Sequence, residues 1–487
     1  MMSGNLLLAV ALLLPVAGAL LIAATGKWPN LREAMTLTTA GLLLLVVLSI
    51  YSDLQAGAHP ALVLVETLPG LPIALAVEPL GMLFALVASF LWIVTSLYAI
   101  GYMRGHGEQH QTRFYICFAV AIASTMGIAL AGNMFTLFIF YEVLTLSTYP
   151  LVTHSGTPEA RRAGRVYLGL LLGTSIGLQL VAVVWTWTLT GTLDFTNGGI
   201  LRGHASPAVI SVLFALYVFG IGKAAIMPFH RWLPAAMVAP TPVSALLHAV
   251  AVVKAGVFTI LKVTVYIFGI DLLAEIGATR WIAYVAAATI VIASLVAMRK
   301  DNLKARLAYS TISQLSYVVL GAMLVNAWGV IGAGMHIAMH AFGKITLFFC
   351  AGAILVAAHK TEVSQLGGLG KRMPITMAAF LIGALSIIGL PPLGGTWSKW
   401  YLVLGTLDRG DLILLTVLMA STLLNIAYLL PIPIRAFFDK ETDGDGGGIR
   451  EAPLPCLIAL VITAAGSLAL FFHPEPLYAL MSQVVTP

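Results

Sequence analysis

Apolar residues in this chain come in blocks of about twenty, separated by short polar connections, and a block of that length crosses the hydrocarbon of a bilayer as one α-helix. Fourteen blocks, centred near residues 14, 43, 90, 122, 143, 178, 217, 253, 290, 314, 343, 392, 423 and 464, predict an all-α polytopic membrane protein with a single membrane domain over 1–487. One stretch follows a different period. From Asp53 to Val77 there is no basic residue, and the alternation in ALVLVETLPGLPIALAV predicts a short hairpin on the outer side. The Gly-rich segment DKETDGDGGGIREAP, beginning at Asp439, predicts a flexible inner connection between the last two spans.

Two blocks are interrupted at related places. Pro228 and Pro234 break the seventh soon after Lys223, while Pro391, Pro392, Gly394 and Gly395 break the twelfth just before Lys399. Broken helices at corresponding points of two halves mark an ion path near the midplane. The plainer alternative is a proline kink whose freed backbone groups are satisfied by neighbouring helices.

Composition and charge sharpen this picture. The chain is 60% hydrophobic and 9% charged, with a net charge of +6. The basic residues are spread over short loops and form no single face, so nucleic acid is not predicted as a partner. With the amino terminus outside, 18 of the 26 Lys and Arg residues fall on the inner side and only Arg202, Arg280 and Arg409 fall outside. That asymmetry follows the positive-inside rule and predicts both termini on the outer side. The first apolar run starts at Asn5 with no basic residue before it, which favours a retained first helix over a cleaved signal peptide. Cys117, Cys350 and Cys456 are far apart in apolar stretches and read as small core residues.

The five remaining basic residues, Lys223, Lys254, Lys262, Lys344 and Lys399, lie within spans. A charge at such depth costs roughly 2.5–3.5 kcal/mol on insertion scales and is kept chiefly where it faces protein, water or an ion path. Snorkelling to the headgroups is the alternative. Glu142 is the one acidic residue deep inside a block, and a cation nearby would keep it charged; Lys223 is the expected partner. Otherwise Glu142 is a protonated carboxyl bonded to backbone or to Thr145. His336, His340 and Lys344 follow at steps of four and share one helix stripe, a line of titratable groups for protons. His-x-x-x-His also suits a metal, but no third ligand is near, so no metal is predicted; two ordinary core histidines remain an alternative. His248, six residues before Lys254, is a candidate bridge from Lys223 to Lys254 through water. Lysine suits proton transfer because burial and a nearby carboxylate move its affinity for a proton in opposite directions. No nucleotide loop, iron–sulfur Cys cluster or nucleophile-plus-base set appears, so no cofactor and no enzyme activity are predicted.

The segments FHRWLPAAMVAPTPVSALLHAVAVVKAG, KARLAYSTISQLSY from Lys304, HIAMHAFGKITLFF from His336 and GLPPLGGTWSK ending at Lys399 resemble the antiporter-like subunits shared by respiratory complex I and the Mrp multisubunit cation/proton antiporters. Within that superfamily the chain looks most like the D-type chains of the Mrp antiporters; Ala235, where complex I relatives often carry an acidic residue, agrees. The resemblance implies two inverted five-helix repeats over 112–264 and 281–436. It also implies roles: Glu142 and Lys223 as a modulating pair, Lys254, His336, His340 and Lys344 as a central relay, and Lys399 as the terminal lysine. It further implies a bacterial inner (plasma) membrane complex in which inward proton movement drives Na+ efflux, with other subunits and membrane lipid as partners. The leading expectation is a proton-translocating antiporter subunit. The alternatives are the proton-pumping arm of a redox complex, such as complex I or a membrane-bound hydrogenase, and a non-transporting scaffold.

Overall fold

The computed structural model describes residues 4–440 and 448–485. The apolar blocks become helices α1 (Gly4–Ala24), α2 (Pro29–Gln55), α3 (Pro79–Gly105), α4 (Gln111–Ala129), α5 (Met134–Val152), α6 (Pro158–Thr190), α7 (Pro207–Gly220), α8 (Thr241–Phe268), α9 (Arg280–Arg299), α10 (Leu303–Met323), α11 (Ala327–Ala358), α12 (Pro374–Ile388), α13 (Gly395–Asp408), α14 (Leu412–Phe438), α15 (Leu454–Phe472) and α16 (Glu475–Val485). Among the described residues eleven helices are long and apolar enough to cross a membrane. Every predicted centre falls on a helix except 392, which falls between α12 and α13.

The helix ends are written into the sequence. Proline opens α2, α3, α6, α7 and α12, where its missing N–H would have had no helical acceptor anyway. The side chains of Glu78, Asn133, Thr157, Ser206, Asn302, Asn326 and Asp411 accept bonds from first-turn amides. Such caps count for more next to lipid, where water is scarce and an orphan amide is costly.

Helix α8 is the centre of the bundle. Its apolar window is wholly buried, against one third for α2, and it packs on α3, α10 and α11. It carries His248, Lys254 and Lys262, and it widens into π turns at Leu246–Val250 and Thr264–Phe268; such turns recur at functional sites.

The alternating stretch forms the hairpin it predicts, with β1 (Ala61–Leu68) antiparallel to β2 (Leu71–Ala76). Leu71 and Leu75 on β2 are buried, and Asn133 Nδ2 donates to the Pro72 carbonyl at 2.8 Å while Ala74 N–H donates to Thr136 Oγ1 at 2.9 Å. The hairpin is thereby tied to the start of α5.

The two breaks differ from expectation in one respect. Pro391 and Pro392 lie between α12 and α13, as predicted. In the seventh block, however, α7 ends at Gly220, before Lys223, and Lys223 sits inside the break on the short 3-10 turn Gly222–Ala224. Pro228 follows, and Pro234 lies in the short helix Trp232–Ala235. The break is closely packed: a Cβ on Gly220 would strike the Gln179 backbone, and one on Gly222 would strike the Thr174 hydroxyl. Residues 441–447 of the Gly-rich connection lie outside the described residues.

Candidate functional site

Lys223 is fully buried, and the helix opposite supplies its contacts. Its Nζ donates to the Tyr141 carbonyl at 2.8 Å and to Thr145 Oγ1 at 2.5 Å, and lies 3.1 Å from the centre of the Tyr141 ring. Its backbone N–H donates to Tyr141 Oη at 3.1 Å, and Trp232 Nε1 closes the turn on the Gly222 carbonyl at 3.0 Å. Helix α8 presses on the same turn through Gly256, where any Cβ would collide with the backbone of Lys223 and Ala224.

The expected ion pair between Glu142 and Lys223 is not formed. Both Glu142 carboxylate oxygens are buried without a hydrogen-bond partner among the described residues. Helix geometry explains this: residues 141 and 145 share a face, while position 142 is turned away by about 100°. Glu142 remains within electrostatic reach of Lys223, and Thr145 serves Lys223 instead of Glu142. His248 is also fully buried, and among the described residues neither ring nitrogen has a partner. Its ring lies 4.6 Å from that of Phe348, and among the described residues it makes no direct hydrogen bond to Lys223 or Lys254.

The stripe on α11 is present, and its three members turn to three different helices. Lys254 Nζ and His340 Nδ1 are 2.6 Å apart, joining α8 to α11; either nitrogen can hold the proton of that bond. Lys344 Nζ donates to Ser310 Oγ on α10 at 2.7 Å, and Tyr428 Oη reaches the same hydroxyl at 2.9 Å. His336 Nδ1 is 2.8 Å from Ser398 Oγ on α13. The His336 and His340 rings stack at 5.7 Å.

Lys399 follows Ser398 in the chain. Its Nζ donates to the Ile388 carbonyl, freed by the second break, at 3.0 Å and lies 4.8 Å from the centre of the Tyr317 ring. That ring also stacks on His336 at 5.6 Å. A polar line thus runs from Lys254 through the hydrogen-bonded His340 and the stacked His336 to Ser398, whose neighbour in the chain is Lys399, with Lys344 one turn from His340 on α11. Among the described residues no group of three His, Cys, Asp or Glu side chains is placed to hold a metal.

Sequence reasoning passed over Tyr317, Ser398 and Ser310, although Ser310 had a signal in opening the run STISQLS on the otherwise buried α10. It offered Thr145 to Glu142, where the hydroxyl serves Lys223. It also assigned no role to Lys262, which is fully buried and pairs with Glu78 at 2.9 Å.

Comparison with known proteins adds an independent line. Residues 131–425 match the family described as NADH:quinone oxidoreductase/Mrp antiporter, TM. The chain is 32% identical over 433 residues to an NADH-quinone oxidoreductase subunit of Desulforudis audaxviator, covering 85% of each chain. It is 29% identical over 422 residues to a Na(+)/H(+) antiporter subunit of Alkalihalophilus pseudofirmus, covering 85% of this chain and 83% of that one. Its fold superposes on a chain of the Mrp complex from Dietzia sp. DQ12-45-1b with a TM-score of 0.86 at 22% identity, over 100% of this chain and 97% of the other. This multi-pass membrane chain belongs to the NADH:quinone oxidoreductase/Mrp antiporter membrane family.

Proposed function

We propose that this chain is the proton-translocating subunit of a multisubunit Na+/H+ antiporter in a bacterial plasma membrane, with both termini outside and other subunits of the complex as its partners. The observation that carries this reading is the 2.6 Å contact between Lys254 and His340, two titratable groups buried at the junction of two spans, where uncompensated charge is costly and is kept chiefly for ion paths. Protons then move along Glu142, Lys223, His248, Lys254, His340, His336 and Lys399, with Lys344 coupled through Ser310. Residues 112–264 and 281–436 act as two inverted five-helix repeats within fourteen spans, each contributing one broken span with a buried lysine. In this reading the chain is a transporter subunit, not an enzyme.

A second reading makes it the proton-pumping arm of a redox-driven complex. The 32% identity to an NADH-quinone oxidoreductase subunit favours it. One experiment separates the two. Everted vesicles from a host without sodium/proton antiporters, carrying this chain with its neighbouring genes, receive sodium chloride against an imposed pH gradient. Collapse of the gradient with wild type, and its persistence with Lys223→Ala at equal complex levels, supports the antiporter. No response to sodium in wild type, together with a gradient built by an electron donor, selects the redox complex.

A further inference from the structure

Lys262 lies two turns beyond Lys254 on α8, about 12 Å along the axis, and the path described so far leaves it unused. It is fully buried, with its Nζ 2.9 Å from Glu78 Oε1 and 3.0 Å from the Ala131 carbonyl. The rings of Phe195 and Phe258 lie 4.3 and 5.4 Å from the same nitrogen. Phe258 is one turn from each lysine and shares their stripe, so it separates Lys262 from Lys254 in this conformation.

Glu78 is the outer member of the pair. Its side chain is 17% exposed and lines a cleft of about 440 Å³ together with Gln55, His59, Asn197, Tyr266 and Gln483. By the topology proposed above, all of these belong to the outer side: the end of α2, the hairpin, the connection after α6, the end of α8, and α16. The cleft therefore reaches from the outer solution to a carboxylate whose partner is a buried lysine on the central helix.

Structural need alone does not account for the pair. Glu78 caps α3 by accepting from Leu80 and Gly81 amides at 3.2 and 2.9 Å, but neutral Asn, Thr or Ser side chains suffice to cap five other helices of this fold. Nor does burying an ion pair bring much stability, because desolvating both charges offsets their attraction.

We propose that Glu78 and Lys262 form the outer port of the translocation path, through which protons pass between Lys254 and the outer solution. The proposal rests on the translocation reading above. In the inward direction water in the cleft gives a proton to the Glu78 carboxylate, and the resulting acid passes that proton to the Lys262 amine, leaving a carboxylate and an ammonium. The ammonium then gives its proton to the Lys254 amine, once Phe258 swings aside or water enters, and becomes an amine again. The Glu78 carboxylate is recharged by the next proton from the cleft.

The test uses the assembled complex. Glu78→Gln keeps a carbonyl oxygen for the cap but has no ionisable group, and Lys262→Met keeps the volume without the amine. Both are expected to lose exchange by about tenfold or more, as for loss of a positioned proton-transfer group, at normal complex levels. A second variant guards against misfolding. Asn197→Cys lines the cleft and takes no part in the transfer; it is expected to exchange normally until a bulky, membrane-impermeant thiol reagent is added from the outer face, which then blocks it while wild type is unaffected. Wild-type exchange rates in Glu78→Gln and Lys262→Met, or full exchange by the labelled Asn197→Cys protein, overturn the port alone. A wild-type complex that moves no protons brings down the port and the translocation reading together.

Discussion

The two broken spans hold their lysines in different ways. At the first, Lys223 sits in the break, and helix α5 surrounds its ammonium with a carbonyl, a hydroxyl and an aromatic face, with Glu142 in electrostatic reach but not in contact. At the second, Lys399 sits just past the break, no carboxylate among the described residues lies within ion-pair distance of it, and its own freed carbonyl at Ile388 is its acceptor. Ser398 and Tyr317 connect that second lysine to His336, whereas among the described residues no hydrogen bond joins the Lys223 ammonium to the polar line on α11. The first site is built so that a charge outside contact can tune a lysine. The second is built so that a lysine is joined to its neighbours.

The first break is also closely packed by its neighbours, and this gives the largest expected effect. Gly220, Gly222 and Gly256 let α6 and α8 approach the chain there. Gly256→Ala sets a methyl against the Lys223 and Ala224 backbone, which cannot rotate away, so it is expected to destabilise the complex by about 1–3 kcal/mol, the range for overpacking. Pro234→Ala, within the short helix after the break, is expected to cost less than about 1 kcal/mol. Thermal unfolding of the purified complex measures both. Equal losses would mean that the close contact at Gly256 constrains the break no more than the proline does.

Glu142→Gln tests the tuning. The carboxylate makes no hydrogen bond among the described residues, so the variant loses only charge and is expected to leave the melting temperature nearly unchanged. Exchange is expected to fall by about tenfold, as for loss of a group that takes part in proton transfer. Unchanged exchange would mean that Lys223 works as Lys399 does, without a carboxylate.

How much of this was written in the sequence follows the same division. The buried charges stand out because an apolar block admits so few, which is how Glu142, Lys223, Lys254 and Lys399 are found. The 336, 340, 344 stripe follows from spacing alone, and the hairpin from its period of two. Contacts do not follow, since the stripe's three members reach α8, α10 and α13 and only the packed bundle decides which. The proline-rich second break is visible in the chain. Pro228 and Pro234 likewise lie in the first interruption, but the glycines that let it pack against residues far away in sequence carry no such signal in the chain. Lys262 was visible as an intraspan charge, but Glu78 looked like a loop acid at a span end until folding brought the two together.

The smallest expected effect separates the two tyrosines that flank the lysines. Tyr141 offers Lys223 three features: its ring, its carbonyl and a hydroxyl that accepts the Lys223 backbone N–H at 3.1 Å. Tyr317 offers Lys399 and His336 its ring, at 4.8 and 5.6 Å. Tyr141→Phe therefore strands a buried amide and is expected to cost about 1 kcal/mol. Tyr317→Phe keeps the face that both neighbours use, so exchange is expected to stay near wild type, while Tyr317→Leu forfeits a cation–π contact of about 0.5–2 kcal/mol and slows exchange several-fold. Exchange rates of the three variants at equal complex levels decide the matter. If Tyr317→Phe were as slow as Tyr317→Leu, the hydroxyl and not the ring would join Lys399 to the line, and the second site would resemble the first more closely than its geometry says.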